Sequence, residues 1–253
     1  MKSFKLLAAA WIAVCFTACI QIDEVVDLKE DGSGTMQVHS DMGKMFEMLK
    51  SFAGEEDLKK EGMDRAMDTT IYLKDLVDTS TSISAENKAL LRNGVLDLKM
   101  NMKENLFRLD MNYPFKNLSD GNKLYTAINQ NGMMGNVLRG MNQGAPGGEE
   151  EGGGFDKIGT LYEVKMSKGE YSRTLIRARY DSLMNDPKVQ ESKGMMAMMG
   201  DMNMNLTVKL PRPAKSVSNS RATLSADKRT VSLKNDLMMA LDSPQNLEIV
   251  IRY

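Results

Sequence analysis

Residues 95–113 read Val95-Leu96-Asp97-Leu98-Lys99-Met100-Asn101-Met102-Lys103-Glu104-Asn105-Leu106-Phe107-Arg108-Leu109-Asp110-Met111-Asn112-Tyr113. Leu96, Leu98, Met100 and Met102 alternate with Asp97, Lys99 and Asn101. After Lys103-Glu104-Asn105 the alternation restarts, with Phe107, Leu109, Met111 and Tyr113 set against Arg108, Asp110 and Asn112. Successive side chains of a strand point to opposite faces, so this stretch predicts a hairpin with one buried face and one wet face.

The same period recurs on both sides. Ile20, Ile22, Val26 and Leu28 share a parity, Asp31-Gly32-Ser33-Gly34 supplies turn residues, and Met36 and Val38 resume the pattern. Downstream, Tyr162, Val164 and Met166 pair with the segment Tyr171–Tyr180 across Ser167-Lys168-Gly169-Glu170. Met202, Met204, Leu206, Val208 and Leu210 alternate until Pro211-Arg212-Pro213. Ala222 and Leu224 face Val231 and Leu233 across Ala226-Asp227-Lys228-Arg229, and Leu247, Ile249 and Ile251 close the chain. About nine or ten strands, mostly in hairpins, predict an antiparallel sheet.

Helical spacing lies between the hairpins. Met42, Met45, Phe46 and Leu49 follow Ser40 and Asp41, either of which can cap a first turn. Ser84 opens a short helix through Leu90 and Leu91 that ends at Asn93-Gly94. Ser119 or Asp120 caps one carrying Leu124, Tyr125 and Ile128. Further turns are expected at Met134–Met141 and Leu237–Leu241. The predicted fold class is therefore α+β, a hairpin-rich antiparallel sheet with short helices inserted between hairpins. Residues 140–154 are dense in glycine around Glu149-Glu150-Glu151. Such a composition buries too little surface to offset the entropy of ordering, so a disordered loop within a single domain spanning 19–253 is expected.

The chain has 253 residues, with 33 Lys+Arg against 34 Asp+Glu and a single His. Near-neutral charge argues against a nucleic-acid binder. At the N-terminus, Lys2 and Lys5 precede an apolar stretch from Leu6 to Phe16, too short to span about 30 Å of hydrocarbon as a helix. Phe16-Thr17-Ala18-Cys19 resembles the lipobox of bacterial lipoproteins, with Phe where Leu is usual. The resemblance implies a signal peptide over 1–18 and a mature chain beginning at Cys19, lipid-modified on its sulfur and its amine. Cleavage would remove Cys15 and the one Trp, Trp11, leaving Cys19 without a disulfide partner. Ile20, unlike Asp, does not resemble an inner-membrane retention signal, so the outer membrane is the expected destination. Asp23 and Glu24 only faintly resemble the acidic export signals of Bacteroidota surface lipoproteins, which favours the periplasmic face.

Cys19, the alternating strand after it, Asp31-Gly32-Ser33-Gly34 and the Met-rich segment from Met42 are similar to the opening of LppM-like and other Bacteroidota envelope lipoproteins. Leu210-Pro211, Ser216–Ser218 and the hairpin Ala222–Leu233 with Ser225-Ala226-Asp227 are similar to their C-terminal stretch. The likeness covers about 40 residues at each end of the chain. It implies an α+β lipoprotein domain with lipid or glycolipid contact, and it brings no catalytic residues.

Candidate chemistry is sparse. Met195, Met196, Met198 and Met199 lack a periodic assignment, and thioethers suit Cu(I), which makes them candidate copper ligands. A helical turn or an adaptable apolar surface explains them as well. His39 has the parity opposite to Met36 and Val38 and is expected to face solvent, without a nucleophile motif around it. Asp75 with Asp78, and Glu55-Glu56-Asp57, read as solvated acids rather than a catalytic pair. No phosphate-binding, nucleophile-elbow, zincin or calcium-loop motif occurs. The segment Asp68–Thr81 mixes acids with apolar anchors and reads as core or as a docking edge. The expectation is a non-enzymatic envelope lipoprotein without a cofactor, held to the membrane by acyl chains on Cys19 and binding a protein or glycan. The alternatives are a binder of lipid or another hydrophobic ligand and, third, Cu(I) binding.

Overall fold

The computed structural model describes residues 20–44, 47, 50–51, 54–60, 66–80, 83–130, 159–199 and 202–253. In chain order these form β1 (Ile20–Leu28), β2 (Gly34–Asp41), α1 (Glu55–Lys60), β3 (Met67–Tyr72), α2 (Leu73–Thr79), α3 (Ala85–Leu91), β4 (Val95–Asn101), β5 (Leu106–Phe115) and α4 (Leu118–Gln130). After residue 158 follow β6 (Tyr162–Ser167), β7 (Glu170–Leu175), α5 (Arg177–Met184), α6 (Pro187–Met199), β8 (Met202–Lys209), β9 (Ser216–Val217), β10 (Thr223–Leu224), β11 (Thr230–Asp236), α7 (Leu237–Asp242) and β12 (Ile249–Arg252). The fold is α+β, as the alternation predicts.

Eight strands make one sheet in the order β10-β11-β8-β1-β2-β5-β4-β3, and four make a second in the order β6-β7-β12-β9. The quoted hairpin is β4–β5, in register from Val95 opposite Asn112 to Asn101 opposite Leu106. Its connection closes on Asn105, in the left-handed region at φ 51°, where asparagine is better tolerated than most residues. The β1–β2 hairpin turns on Gly32 at φ 82°, and Asp31 Oδ1 accepts the Ser33 N–H at 3.0 Å and its hydroxyl at 2.7 Å. Those two bonds hold the Asp31 carboxyl below its usual range. Gly34 is required by space: a Cβ there would meet the Asp27 carbonyl at 2.2 Å and the Phe115 ring at 2.4 Å.

Three details depart from the sequence expectation. The strand expected over Tyr171–Tyr180 stops at Leu175, where Ile176 N–H bonds to the Leu161 carbonyl and the chain turns into α5. Strong helix formers follow at Arg177, Ala178 and Arg179, and Leu183 is the residue that α5 buries. The cap of α4 is Asn117, not Ser119 or Asp120. Its Oδ1 accepts the Asp120 N–H at 2.9 Å, satisfying one donor of the first turn, while its Nδ2 donates to Asp120 Oδ2 at 2.9 Å. The large sheet is also not wholly antiparallel, because β8 runs parallel to β1 from Ile20–Met202 to Asp27–Lys209. Ser84 does cap α3 as read, accepting the Asn87 N–H. The expected helical turns at 134–141 and the Gly/Glu stretch at 140–154 lie outside the described residues.

The inner faces of the two sheets share one cluster of buried side chains, including Val26, Met36, Leu96, Leu109 and Tyr113 from the large sheet and Val164, Tyr171, Ile249 and Ile251 from the small one. Full burial of each such aliphatic side chain contributes roughly 1.5–3 kcal/mol. A second cluster gathers at the end where β1 begins, joining Ile20 and Met202 to Leu237 and Leu241 of α7 and Leu183 of α5.

Candidate functional site

Strand edges attract partners, because an unpaired row of N–H and C=O groups is a template for another strand. Among the described residues there are four such edges. β10 and β9 are two residues long each. β6 is covered by α4, whose Asn122 side chain takes the place of a neighbouring strand: Nδ2 donates to the Met166 carbonyl at 3.0 Å and Oδ1 accepts the Met166 N–H at 2.6 Å. β3 remains, six residues long, paired with β4 on one side and with no strand on the other among the described residues.

β3 runs directly into α2, and the junction carries the two largest exposed apolar side chains of this region, Tyr72 at 62% and Leu76 at 45% relative exposure. Leu73 and Val77 of the same helix are buried at 1%. The described part of the segment, residues 68–80, is thus core on one side of α2 and an exposed edge on the other. α2 is fixed from behind by Asp78, whose carboxylate meets Arg92 at 3.2 Å and whose carbonyl accepts from Lys88 Nζ at 3.2 Å. Separately, an open cleft of about 300 Å³ lies between α3 and α4, lined by Leu90, Phe115 and Leu124 with Glu86 and Lys123 at its charged side. Glu86 and Lys123 pair at 2.8 Å, and each holds the other in its charged form: the Glu86 carboxyl is lowered and the Lys123 amine raised.

A second polar feature lies between the sheets. Arg173 of β7 is 4% exposed and reaches Glu24 of β1 at 3.1 Å. Its guanidinium stacks over the Tyr162 ring at 4.8 Å from the centroid. Burial opposes the Arg173 charge, yet Tyr125, Glu24, Tyr171 and Tyr162 together raise its pKa. Burial also raises the phenols of Tyr125 and Tyr171, and pushes Tyr162 up to about 12. Glu24 Oε1, Arg173 Nε and the Tyr171 hydroxyl have no hydrogen-bond partner among the described residues. Neither Glu24 nor Arg173 is among the site residues read from sequence. Both have an inward parity, Glu24 with Ile22 and Val26, Arg173 with Tyr171, and a charge at an inward position was the available signal.

His39 sits on the outer face, as its parity implies, and its Nδ1 is hydrogen-bonded to Asp110 of β5. Asp75 and Asp78 lie on α2, and only Asp78 is part of the pairing with Arg92 and Lys88. Met195, Met196, Met198 and Met199 fall on the last turns of α6, so their backbone is helical; their side chains lie outside the described residues. Cys19 also lies outside them, one residue before β1. No helix of the described residues is long and apolar enough to cross a membrane. Compared with family models, curated proteins and solved structures, the chain matches none.

Proposed function

We propose that this chain is a bacterial envelope lipoprotein, anchored through acyl chains on Cys19 to the periplasmic face of the outer membrane, that works without catalysis by docking a partner on the β3–α2 edge. The observation that carries the docking reading is the contrast between sheet edges among the described residues: three are short or covered, and the fourth has no strand beside it and ends in exposed Tyr72 and Leu76. An extended protein segment suits such an edge. Main-chain bonds to a sheet edge give affinity, and apolar anchors beside it give specificity. Tyrosine is favoured at this kind of position because it buries a large ring at small entropic cost and keeps a polar tip. A glycan would use the same aromatic face.

Two experiments test the two halves. Labelling cells with a palmitate analogue is expected to mark the wild-type chain and to miss a Cys19→Ala variant; label persisting in that variant refutes the anchor. A photo-crosslinking amino acid in place of Tyr72 is expected to trap one discrete species in intact cells, and the same group in place of Leu224, which is 43% exposed on β10, is expected to trap none. Equal trapping at both positions refutes the docking edge.

A further inference from the structure

β1 begins at Ile20, the residue after Cys19, and enters the middle of the eight-stranded sheet between β8 and β2. Ile20 is 8% exposed and packs in the cluster that holds Met202, Leu237 and Leu241. A strand rises about 3.3 Å per residue. An acylated Cys19 is therefore within a single residue's length of the packed body, with no tether to hold that body away from the bilayer.

The surroundings of that strand end are specific. Ile20 is in register with Met202 of β8. The Met202 N–H bonds to Asp236 Oδ2 at 3.2 Å, and the other oxygen of the same carboxylate caps α7 by accepting the Met239 N–H at 3.1 Å. One carboxylate thus ties the start of β8 to the first turn of α7. That helix buries Leu237 and Leu241 at 2% and leaves Met239 exposed at 48%. α6 ends at Met199, three residues before Met202, so the topology delivers the turns carrying Met195, Met196, Met198 and Met199 to this end of the sheet. Lys193 of α6 pairs with Asp242 of α7 at 2.7 Å, linking the two helices.

We propose that this end of the sheet, formed by α7 with Met239 and by the last turns of α6, is a bilayer-contacting surface that seats in the headgroup–acyl boundary of the membrane holding Cys19. The inference rests on the lipid anchor proposed above and adds an orientation to it: the open β3–α2 edge ends away from the membrane, because Tyr72 is in register through Val95, Asn112 and Gln37 with Val25 rather than with Ile20. Apolar faces at such a boundary bury about 5–10 Å deep. The exposed Met239 side chain, flexible and polarizable, conforms to an irregular lipid surface without a fixed complementary shape. Several acyl chains already make attachment stable, so the contact sets the body's pose more than its affinity.

The test uses the acylated mature chain in phosphatidylethanolamine–phosphatidylglycerol vesicles. Trp11 leaves with the signal peptide, so a Met239→Trp variant carries the one indole of the mature chain. Its emission is expected to be blue-shifted and quenched by lipids brominated near the carbonyl end of the chain. A Leu224→Trp variant reads a position in register through Val231 and Val208 with Val26, about 20 Å farther along the strands at 3.3 Å per residue, and is expected to stay water-exposed and unquenched. Protein that floats with vesicles while both indoles escape quenching, or while both are quenched alike, overturns the proposed seat and leaves the anchor standing. Protein that fails to float refutes the anchor, and the seat with it. If Met239→Trp does not fold by circular dichroism, Met239→Cys labelled with bimane reads the same surface with the same two outcomes, since acylation blocks the sulfur of Cys19.

Discussion

The two faces of the eight-stranded sheet carry opposite kinds of row. Across the outer face, Asn205, Asp23, His39, Asp110, Asp97 and Thr70 stand side by side in register from β8 to β3. Asn205 donates to Asp23 at 2.7 Å, His39 bonds to Asp110, and Thr70 donates to Asp97. One residue farther along the strands, on the inner face, the row reads Leu233, Leu206, Glu24, Val38, Met111, Leu96 and Ile71. The outer row has several charges, all partly exposed; the inner row has one, Glu24, whose side chain is 18% exposed, and its partner is the buried Arg173 of the other sheet. Burial, rather than the number of charges, decides which row the fold depends on.

Breaking the inner pair gives the largest expected effect. Arg173→Ala leaves the Glu24 carboxylate without its partner in the core and removes the stack on Tyr162, and is expected to destabilise the protein by about 3–5 kcal/mol. The midpoint of urea unfolding should fall with little change in slope. The double replacement Glu24→Leu with Arg173→Met removes both charges and is expected to recover most of that loss, since a well-packed apolar pair of similar volume is often neutral or better. A double variant as unstable as Arg173→Ala would show that the pair contributes more than mutual neutralisation, and that the orphaned Glu24 Oε1 and Arg173 Nε have a further role.

The tyrosines around the pair sharpen the contrast through pH. Tyr162 ionises near 10 in the unfolded chain and is pushed up to about 12 in the fold, by burial against the opposing pull of Arg173; burial also raises Tyr125 and Tyr171. A raised folded pKa means the native state holds the proton more tightly. The stabilisation is therefore whole below pH 10 and is lost as pH rises from 10 toward 12, because the unfolded chain releases its protons first. Urea midpoints measured from pH 8 to pH 11 (the onset of that window) should be flat and then fall. A Tyr162→Phe variant should show a shallower fall, and an identical fall in both would place the effect elsewhere.

Much of this was legible in the sequence, for a physical reason. Strand parity needs only local alternation, so the β1–β2, β4–β5 and β6–β7 hairpins and the outward position of His39 could be read directly. Three things could not. The parallel pairing of β1 with β8 joins segments with most of the chain between them, and alternation is the same for parallel and antiparallel neighbours. The Glu24–Arg173 pair spans 149 residues and two sheets, and nothing local in either strand names the other charge as its partner. The open edge at β3 is defined by what does not lie beside it, which only the strand order reveals. Conversely, the resemblance of Phe16-Thr17-Ala18-Cys19 to a lipobox is carried by residue order alone, and the proposed lipid anchor rests on that order rather than on the fold.

The smallest effect is expected on the outer row, where the comparison makes its sharpest demand. Asp110→Ala removes the partner of His39, whose side chain is 40% exposed, from a carboxylate that is 47% exposed. A pair this wet contributes roughly 0–1 kcal/mol. The same change also relieves a conflict, since Asp110 stands directly opposite Asp97 and like charges facing across strands are unfavourable. The two consequences have opposite signs, so the net change in stability should fall within about 1 kcal/mol of zero. His39→Gln, which keeps a hydrogen-bonding side chain at the same place, should be equally mild. Urea unfolding of both single variants and the double gives the coupling, expected below about 1 kcal/mol. A coupling approaching the Arg173→Ala effect would mean that this face is covered in the functioning molecule, because only desolvation raises a surface pair to that strength.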